Sequence, residues 1–207
     1  MTDMKPMEIE EKSFAIITEE LGDKKLAEGT ECIVKRVIHT TADFEYADNL
    51  VFSETAVRAA REAIAAGCDI VTDTTMVKSG INKKTLASLG GEVHCFVADE
   101  DVAKEAKERG VTRSKVAMER AAALQKPCIF AIGNAPTALE SLLDLVEEGK
   151  IDPVLIIGVP VGFVHVVESK ERLLACKKVP YIVARGRKGG SSVAAAIVNA
   201  LVYSVRR

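Results

Sequence analysis

The chain has 207 residues, of which 48% are hydrophobic but only 4% aromatic, and its formal net charge is −2. That length suits a single domain, residues 1–207, with a sizeable core built from Ala, Val, Ile and Leu. The charge excludes the broad basic field of a nucleic-acid binder, and no apolar stretch approaches a membrane span. The opening segment MTDMKPMEIEEKSFAII carries too many acids for a signal peptide. Five cysteines, Cys32, Cys68, Cys95, Cys128 and Cys176, are widely spaced without a CxxC pair. Free thiols in a reducing, cytoplasmic setting are therefore expected.

Pro6 to about Glu20 reads as a helix with Phe14, Ile16 and Ile17 on its buried side. A second helix is predicted from near Lys24 to His39, ending in the polar stretch Thr40–Asp43. Ser53 and Glu54 open a third that runs to Ala66 and stops at Gly67. CDIVTDT reads as a short strand, MVKSGINKKTLASLGG as a loop plus a short helix, and EVHCFVAD as another strand. Asp101–Arg109 is predicted helical and closes on Gly110; Thr112 or Ser114 then caps a helix that reaches about Leu124. Three continuous apolar runs follow, CIFAI, VLIIG and YIVA, with helices predicted at Ala135–Glu148 and Ser169–Lys177 between them. Each run ends in a glycine-containing turn, and the last turn leads into a further helix-like segment. Such runs are what strands covered on both faces look like, and the alternation predicts a doubly wound α/β domain with a mostly parallel sheet.

In such a sheet the crevice beyond the carboxyl ends of the strands is where ligands bind. That edge should carry backbone amides, Asn134, Ser191, Ser192, Arg185, Arg187 and Lys188, a set suited to an anion. RGRKGGSS, residues 185–192, is the most chemical of these turns: small residues before a helix start leave N–H groups pointing outward, and the arginines can grip carboxylates bidentately. It lacks the GK[ST] ending of a Walker loop and the GxGxxG of a dinucleotide site. A plain βα turn with a solvated basic loop would also fit. In GNAPTAL, residues 133–139, Pro136 makes an ordinary helix start, to which Asn134 could add an amide donor. Of three histidines, His39 stands at the end of an apolar helical stretch, where the dipole favours a cation and an imidazolium general acid would be at home. His94 and His165 read as structural, and no histidine pair has metal-site spacing, so no metal is expected. TRSKVA, residues 112–117, with Arg113 and Lys115, and the loop Lys78-Ser79-Gly80 read equally as exposed basic segments or as ligand contacts.

Together IEEKSFAII (9–17), VKRVIHTTAD (34–43), NLVFS (49–53), DTTMVKSGI (73–81), TRSKVA (112–117), AIGNAPTAL (131–139), GVPVGFVHVVESK (158–170) and VARGRKGGSSVAAAIVNAL (183–201) resemble the precorrin-8X methylmutase family, including its cobalt-precorrin-8 form. The pieces cover nearly the whole chain in order. The resemblance implies a dimer with a corrinoid site near its interface. It implies an isomerase of cobalamin (corrin) biosynthesis that moves a methyl group from C-11 to C-12 of the porphyrin-derived macrocycle. Neither a metal supplied by the protein nor another cofactor is implied. The family's catalytic histidine corresponds to His39, and its substrate-binding serine and arginine to Ser13 and Arg113. Lys78, Asn134, Arg185, Arg187 and Ser191 complete the expected contacts to a ring fringed with carboxylates. The competing expectations are a non-catalytic corrinoid carrier and a nucleotide- or phosphate-binding enzyme that uses RGRKGGSS as its cradle.

Overall fold

The structure, a computed structural model, describes residues 6–205, with side chains from residue 8 onward; residues 1–5, the head of the acidic opening segment, lie outside them. Six strands share one sheet in the order β1-β6-β5-β4-β2-β3. They are β1 Leu50–Phe52, β2 Asp69–Thr72, β3 Val93–His94, β4 Cys128–Ile132, β5 Leu155–Gly158 and β6 Tyr181–Ala184. All neighbours run parallel except β1, which lies antiparallel on β6.

The helices are α1 Pro6–Leu21, α2 Glu31–Thr41, α3 Tyr46–Asn49, α4 Ala56–Ala65, α5 Thr75–Gly80, α6 Lys83–Ser88, α7 Glu100–Arg109, α8 Arg113–Ala121, α9 Pro136–Glu147, α10 Val166–Ala175 and α11 Ser191–Val205. They cover both faces of the sheet, so the doubly wound arrangement is the one expected. Ile70, Ile129, Leu155 and Ile157 point toward α2, α4 and α11. Their alternates Val71, Phe130 and Ile156 point toward α7–α10. The strands are apolar on both sides for that reason. Among the described residues no helix is long and apolar enough to cross a membrane, and all five cysteines are free, with Cys32 exposed.

Several expected boundaries move. α2 begins at Glu31 rather than near Lys24, because Gly29 turns through φ 78° and breaks the chain ahead of it. The MVKSGINKKTLASLGG loop holds two short helices, capped by the side chains of Thr74 and Asn82. β1 is absent from the sequence reading, since three residues are too few for a periodic signal and its pairing with β6 is purely tertiary. On α1, Ile17 is buried as expected but Ile16 is exposed.

The chain leaves β2 for β3 on one side, then returns to β4 on the other, so the strand order reverses between β2 and β4. Asp73, the residue after β2, occupies that reversal and is 2% exposed. Its Oδ1 accepts from the N–H of Gly133 at 2.9 Å, and its Oδ2 from those of Asn134 at 2.8 Å and Ala135 at 2.7 Å. Burial pushes this carboxyl up, against the pull of the three donors. Gly133 is needed here, because a Cβ would come within 2.9 Å of Ser191 Cα and of Val77 Cγ2.

A second buried charge sits on α10. Lys170 is 0% exposed, and its Nζ donates to the carbonyls of Gly186 at 2.9 Å and Lys188 at 2.7 Å. Burial lowers its pKa to about 8.

Two outcomes follow from these groups. Asp73→Ala leaves three N–H groups without their acceptor and is expected to cost roughly 3 kcal/mol, about 1 kcal/mol each. The urea midpoint at unchanged slope reads this out, and a loss below about 1 kcal/mol would contradict the assignment. For Lys170 the unfolded chain keeps its proton up to about pH 10.4, whereas the folded chain sheds it near 8. Between those values the unfolded state binds more protons, so the stability of the wild type relative to Lys170→Met is expected to rise with pH. A difference that stays flat from pH 8 to 10 would contradict the lowered pKa.

Candidate functional site

The turns that follow the parallel strands are tied to one another. Asp73 joins the turn after β2 to that after β4. Thr74 Oγ1 and Ser191 Oγ, 3.2 Å apart, join it to the turn after β6. Gly190 N donates to Val159 O at 2.9 Å and Gly162 N to Arg187 O at 3.3 Å, which zips the turns after β5 and β6 together. Gly189 permits this approach, since a Cβ there would stand 2.2 Å from Val159 O. Gly189 of RGRKGGSS therefore has a packing reason of its own.

His39 lies in the last turn of α2 with its imidazole exposed. Its ring stacks on Phe14 of α1, centroids 5.3 Å apart and planes inclined by 21°. Beyond Phe14, the Arg36 guanidinium lies between the Phe14 ring, at 5.3 Å, and the Tyr203 ring, at 4.9 Å, and pairs with Glu10 at 2.8 Å. A cavity of about 540 Å³ opens beside these groups toward Arg61 and Ser204; His39 does not line it. Ser13, one residue before Phe14, is half-buried and donates to Ile9 O at 2.8 Å. Thr40 and Thr41 return their hydroxyls to the carbonyls of Arg36 and Val37. Ala42 then ends the helix at φ 52°.

The end of α2 is bound to the turn after β6. Lys188 Nζ is 2.6 Å from Asp43 Oδ2 and 2.9 Å from Glu45 Oε2. The Lys188 ammonium holds the Asp43 carboxyl below the usual carboxylate range, and the two acids raise Lys188 in turn. A continuous chain of contacts thus runs from Phe14 and His39 through the end of α2, Asp43 and Lys188 to Ser191, Thr74, Asp73 and the backbone of Asn134.

The remaining expected contacts are placed as follows. The Asn134 side chain, whose amide the sequence reading offered to a ligand, is exposed at the head of α9, while the backbone amides of Gly133, Asn134 and Ala135 are taken by Asp73. Arg185 is held by Glu171 through Nε at 3.0 Å, so its charge is already partnered. Arg187 extends over the ring of Phe163 at 5.5 Å. Phe163 is 84% exposed, and Val161, Val164 and Met76 are exposed with it, giving this edge an apolar surface beside its cations. Lys78 is half-buried in the last turn of α5. Arg113 is exposed in the first turn of α8, on the opposite face of the sheet from α2, outside the contact chain above. The sequence reading missed Asp73 and Lys170. Both stand in quoted motifs, DTTMVKSGI and GVPVGFVHVVESK, but their partners are 60 and 16 residues away.

The family profile described as precorrin-8X methylmutase matches residues 8–204. The cobalt-precorrin-8 methylmutase of Salmonella typhimurium is 48% identical over 97% of this chain and 96% of its own. That of Priestia megaterium is 46% identical over 96% and 88%. The crystal structure of precorrin-8X methylmutase from Thermus thermophilus superposes with a TM-score of 0.87 at 38% identity, covering 96% of this chain and 97% of that one. Sequence and fold agree over the same span, and the chain belongs to the precorrin-8X methylmutase family.

Proposed function

We propose that this chain is the isomerase of corrin biosynthesis that moves a methyl group from C-11 to C-12 of precorrin-8X or cobalt-precorrin-8, giving hydrogenobyrinate or cobyrinate, with His39 as general acid. The observation that carries this reading is His39 itself, an exposed imidazole stacked on Phe14 at the helix end that Lys188 ties to the cationic edge of the sheet. In the reaction the C-11–methyl bond breaks as the C-12–methyl bond forms, and the ring keeps all its atoms. What the protein supplies is a proton delivered to one ring atom as the π-system reorganises, and a rigid seat for the macrocycle. Another ring atom gives up a proton in balance, so that the product is an isomer. Stacking on Phe14 restrains the imidazole plane.

The seat combines the apolar surface of Met76, Val161, Phe163 and Val164 with cations and polar groups for the ring's carboxylates. Ser13, Arg113, Lys78, Asn134, Arg187, Arg185 and Ser191 are the proposed contacts. Of the two arginines on the turn, Arg187 is the stronger candidate, because Glu171 already neutralises Arg185. The chain is proposed to work in the cytoplasm as a homodimer of single methylmutase domains. Ile9 and Ile16, left exposed on α1, are an apolar stripe that a second copy would cover.

His39→Ala is expected to abolish the absorption change that accompanies conversion of the substrate, while corrinoid binding stays within a few-fold of wild type. Near wild-type turnover would overturn the assignment. Ser13→Ala and Arg113→Ala each remove a contact worth about 1.5–3 kcal/mol, so dissociation constants should rise roughly ten- to a hundredfold. Unchanged constants in both would remove these residues from the site.

Salt separates the two turn arginines. The Debye length falls from about 30 Å at 0.01 M to about 3 Å at 1 M, so Arg187→Ala is expected to weaken hydrogenobyrinate binding more at low salt than at high. Arg185→Ala should weaken it less, since Glu171 already engages that guanidinium and leaves it less free to contact the ligand. Equal affinities of wild type and Arg187→Ala at low salt would leave RGRKGGSS as a turn only.

A further inference from the structure

Lys170 has no part in the chemistry above, yet it is among the largest fully buried side chains. Among the described residues it has no carboxylate partner; its ammonium meets the carbonyls of Gly186 and Lys188. A methionine would fill a comparable volume without bringing a charge out of water, and replacing buried charges by apolar groups is often neutral or stabilising. Fold stability alone does not explain the residue. The loop it holds is the one that carries Arg185, Arg187 and Lys188.

We propose that Lys170 is a positioning residue for substrate binding, whose buried ammonium clasps the inward carbonyls of the 185–190 loop and so turns that loop's cationic side chains outward. The inference rests on the corrinoid reading of the site and adds a residue that cannot itself touch the ligand. Successive residues of α10 grip the loop from two sides. Lys170 takes its backbone from beneath, and Glu171 takes Arg185 at the surface. Gly186 turns at φ +79° with open space around its missing Cβ, so nothing packed against that point holds the turn; the hydrogen bonds do. The same α10 follows directly on the Phe163 loop, which is zipped to the 185–190 loop by the Gly162–Arg187 and Gly190–Val159 hydrogen bonds. Fixing the loop to α10 therefore sets the cations and the apolar surface in one arrangement. The ends of the loop's outward contacts, Asp43 and Glu45, lie just past His39 on the chain.

The test compares the full-length wild type with Lys170→Met, and with Lys170→Gln as a milder variant that keeps one donor pair without the charge. Melting temperature, the rate of trypsin cleavage after Arg185, Arg187 or Lys188, and the dissociation constant for hydrogenobyrinate are measured for each. Cleavage of a folded protein follows the population of the locally open form. Lys170→Met is expected to keep its melting temperature within a few degrees, to be cut in the loop at least tenfold faster, and to bind at least tenfold more weakly. Lys170→Gln should fall between it and wild type on both readouts. If the melting temperature drops while cleavage and affinity stay within twofold of wild type, the residue is only a brace and the proposal is overturned. Faster cleavage with unchanged affinity also overturns it. Should Lys170→Met fail to fold, Lys170→Gln decides by the same two readouts. A wild type that does not bind the corrinoid sinks the functional reading instead, and the clasp is then judged on cleavage alone.

Discussion

The Asp73 carboxylate is the contact on which the rest of this edge depends. It stands at the one place where the strand order reverses, and it satisfies three N–H groups at the head of α9 that would otherwise face the crevice. Helix starts at such positions commonly hold a ligand's anion. Here the protein provides the anion itself. The consequence is chemical as much as structural. The amides of the turn after β4 are engaged within the protein, and in the proposed function recognition of an anionic ligand falls to the side-chain cations of the turn after β6.

Two buried charges of opposite sign thus organise neighbouring turns by one device, a side chain that binds backbone rather than another charge. Asp73 gathers donors, and Lys170 gathers acceptors. Backbone groups are obligatory hydrogen-bonding partners, so fixing them fixes the path of the chain. Irregular turns thereby gain a definition that usually belongs to helices and strands. For the proposed macrocyclic ligand this matters, because a loop already held in one conformation loses less freedom on binding. Packing at Gly133 and Gly189 adds to it by letting backbones meet where any Cβ would collide.

Much of this was legible in the amino-acid sequence, and the parts that were not share a cause. CIFAI, VLIIG and YIVA announced themselves because a strand covered on both faces must be apolar at every position. The helix ends at Gly67 and Gly110 followed from the left-handed turn that glycine permits, with φ of 82° and 64°. The placing of His39 at the end of α2 was legible because it closes an apolar helical stretch. β1 and the clasps of Asp73 and Lys170 were hidden because their partners are distant in sequence, so no local pattern records them. The strand expected over EVHCFVAD pairs only at Val93 and His94, since the apolar residues Phe96 and Val97 leave the ladder to pack against the core formed with α7–α10. The closure of the GNAPTAL backbone amides was hidden for the same reason: nothing near them in sequence shows that Asp73 occupies them.

The central claim is that this edge of the sheet carries out an intramolecular methyl shift on a corrin ring. A substrate carrying a carbon-13 label in the C-11 methyl group tests it most directly, with the purified protein and no added methyl donor. The account requires the labelled resonance to move quantitatively to that of a C-12 methyl group, with none of the label released to solvent. A label that remains at C-11 under binding conditions, or that leaves the macrocycle, would contradict it.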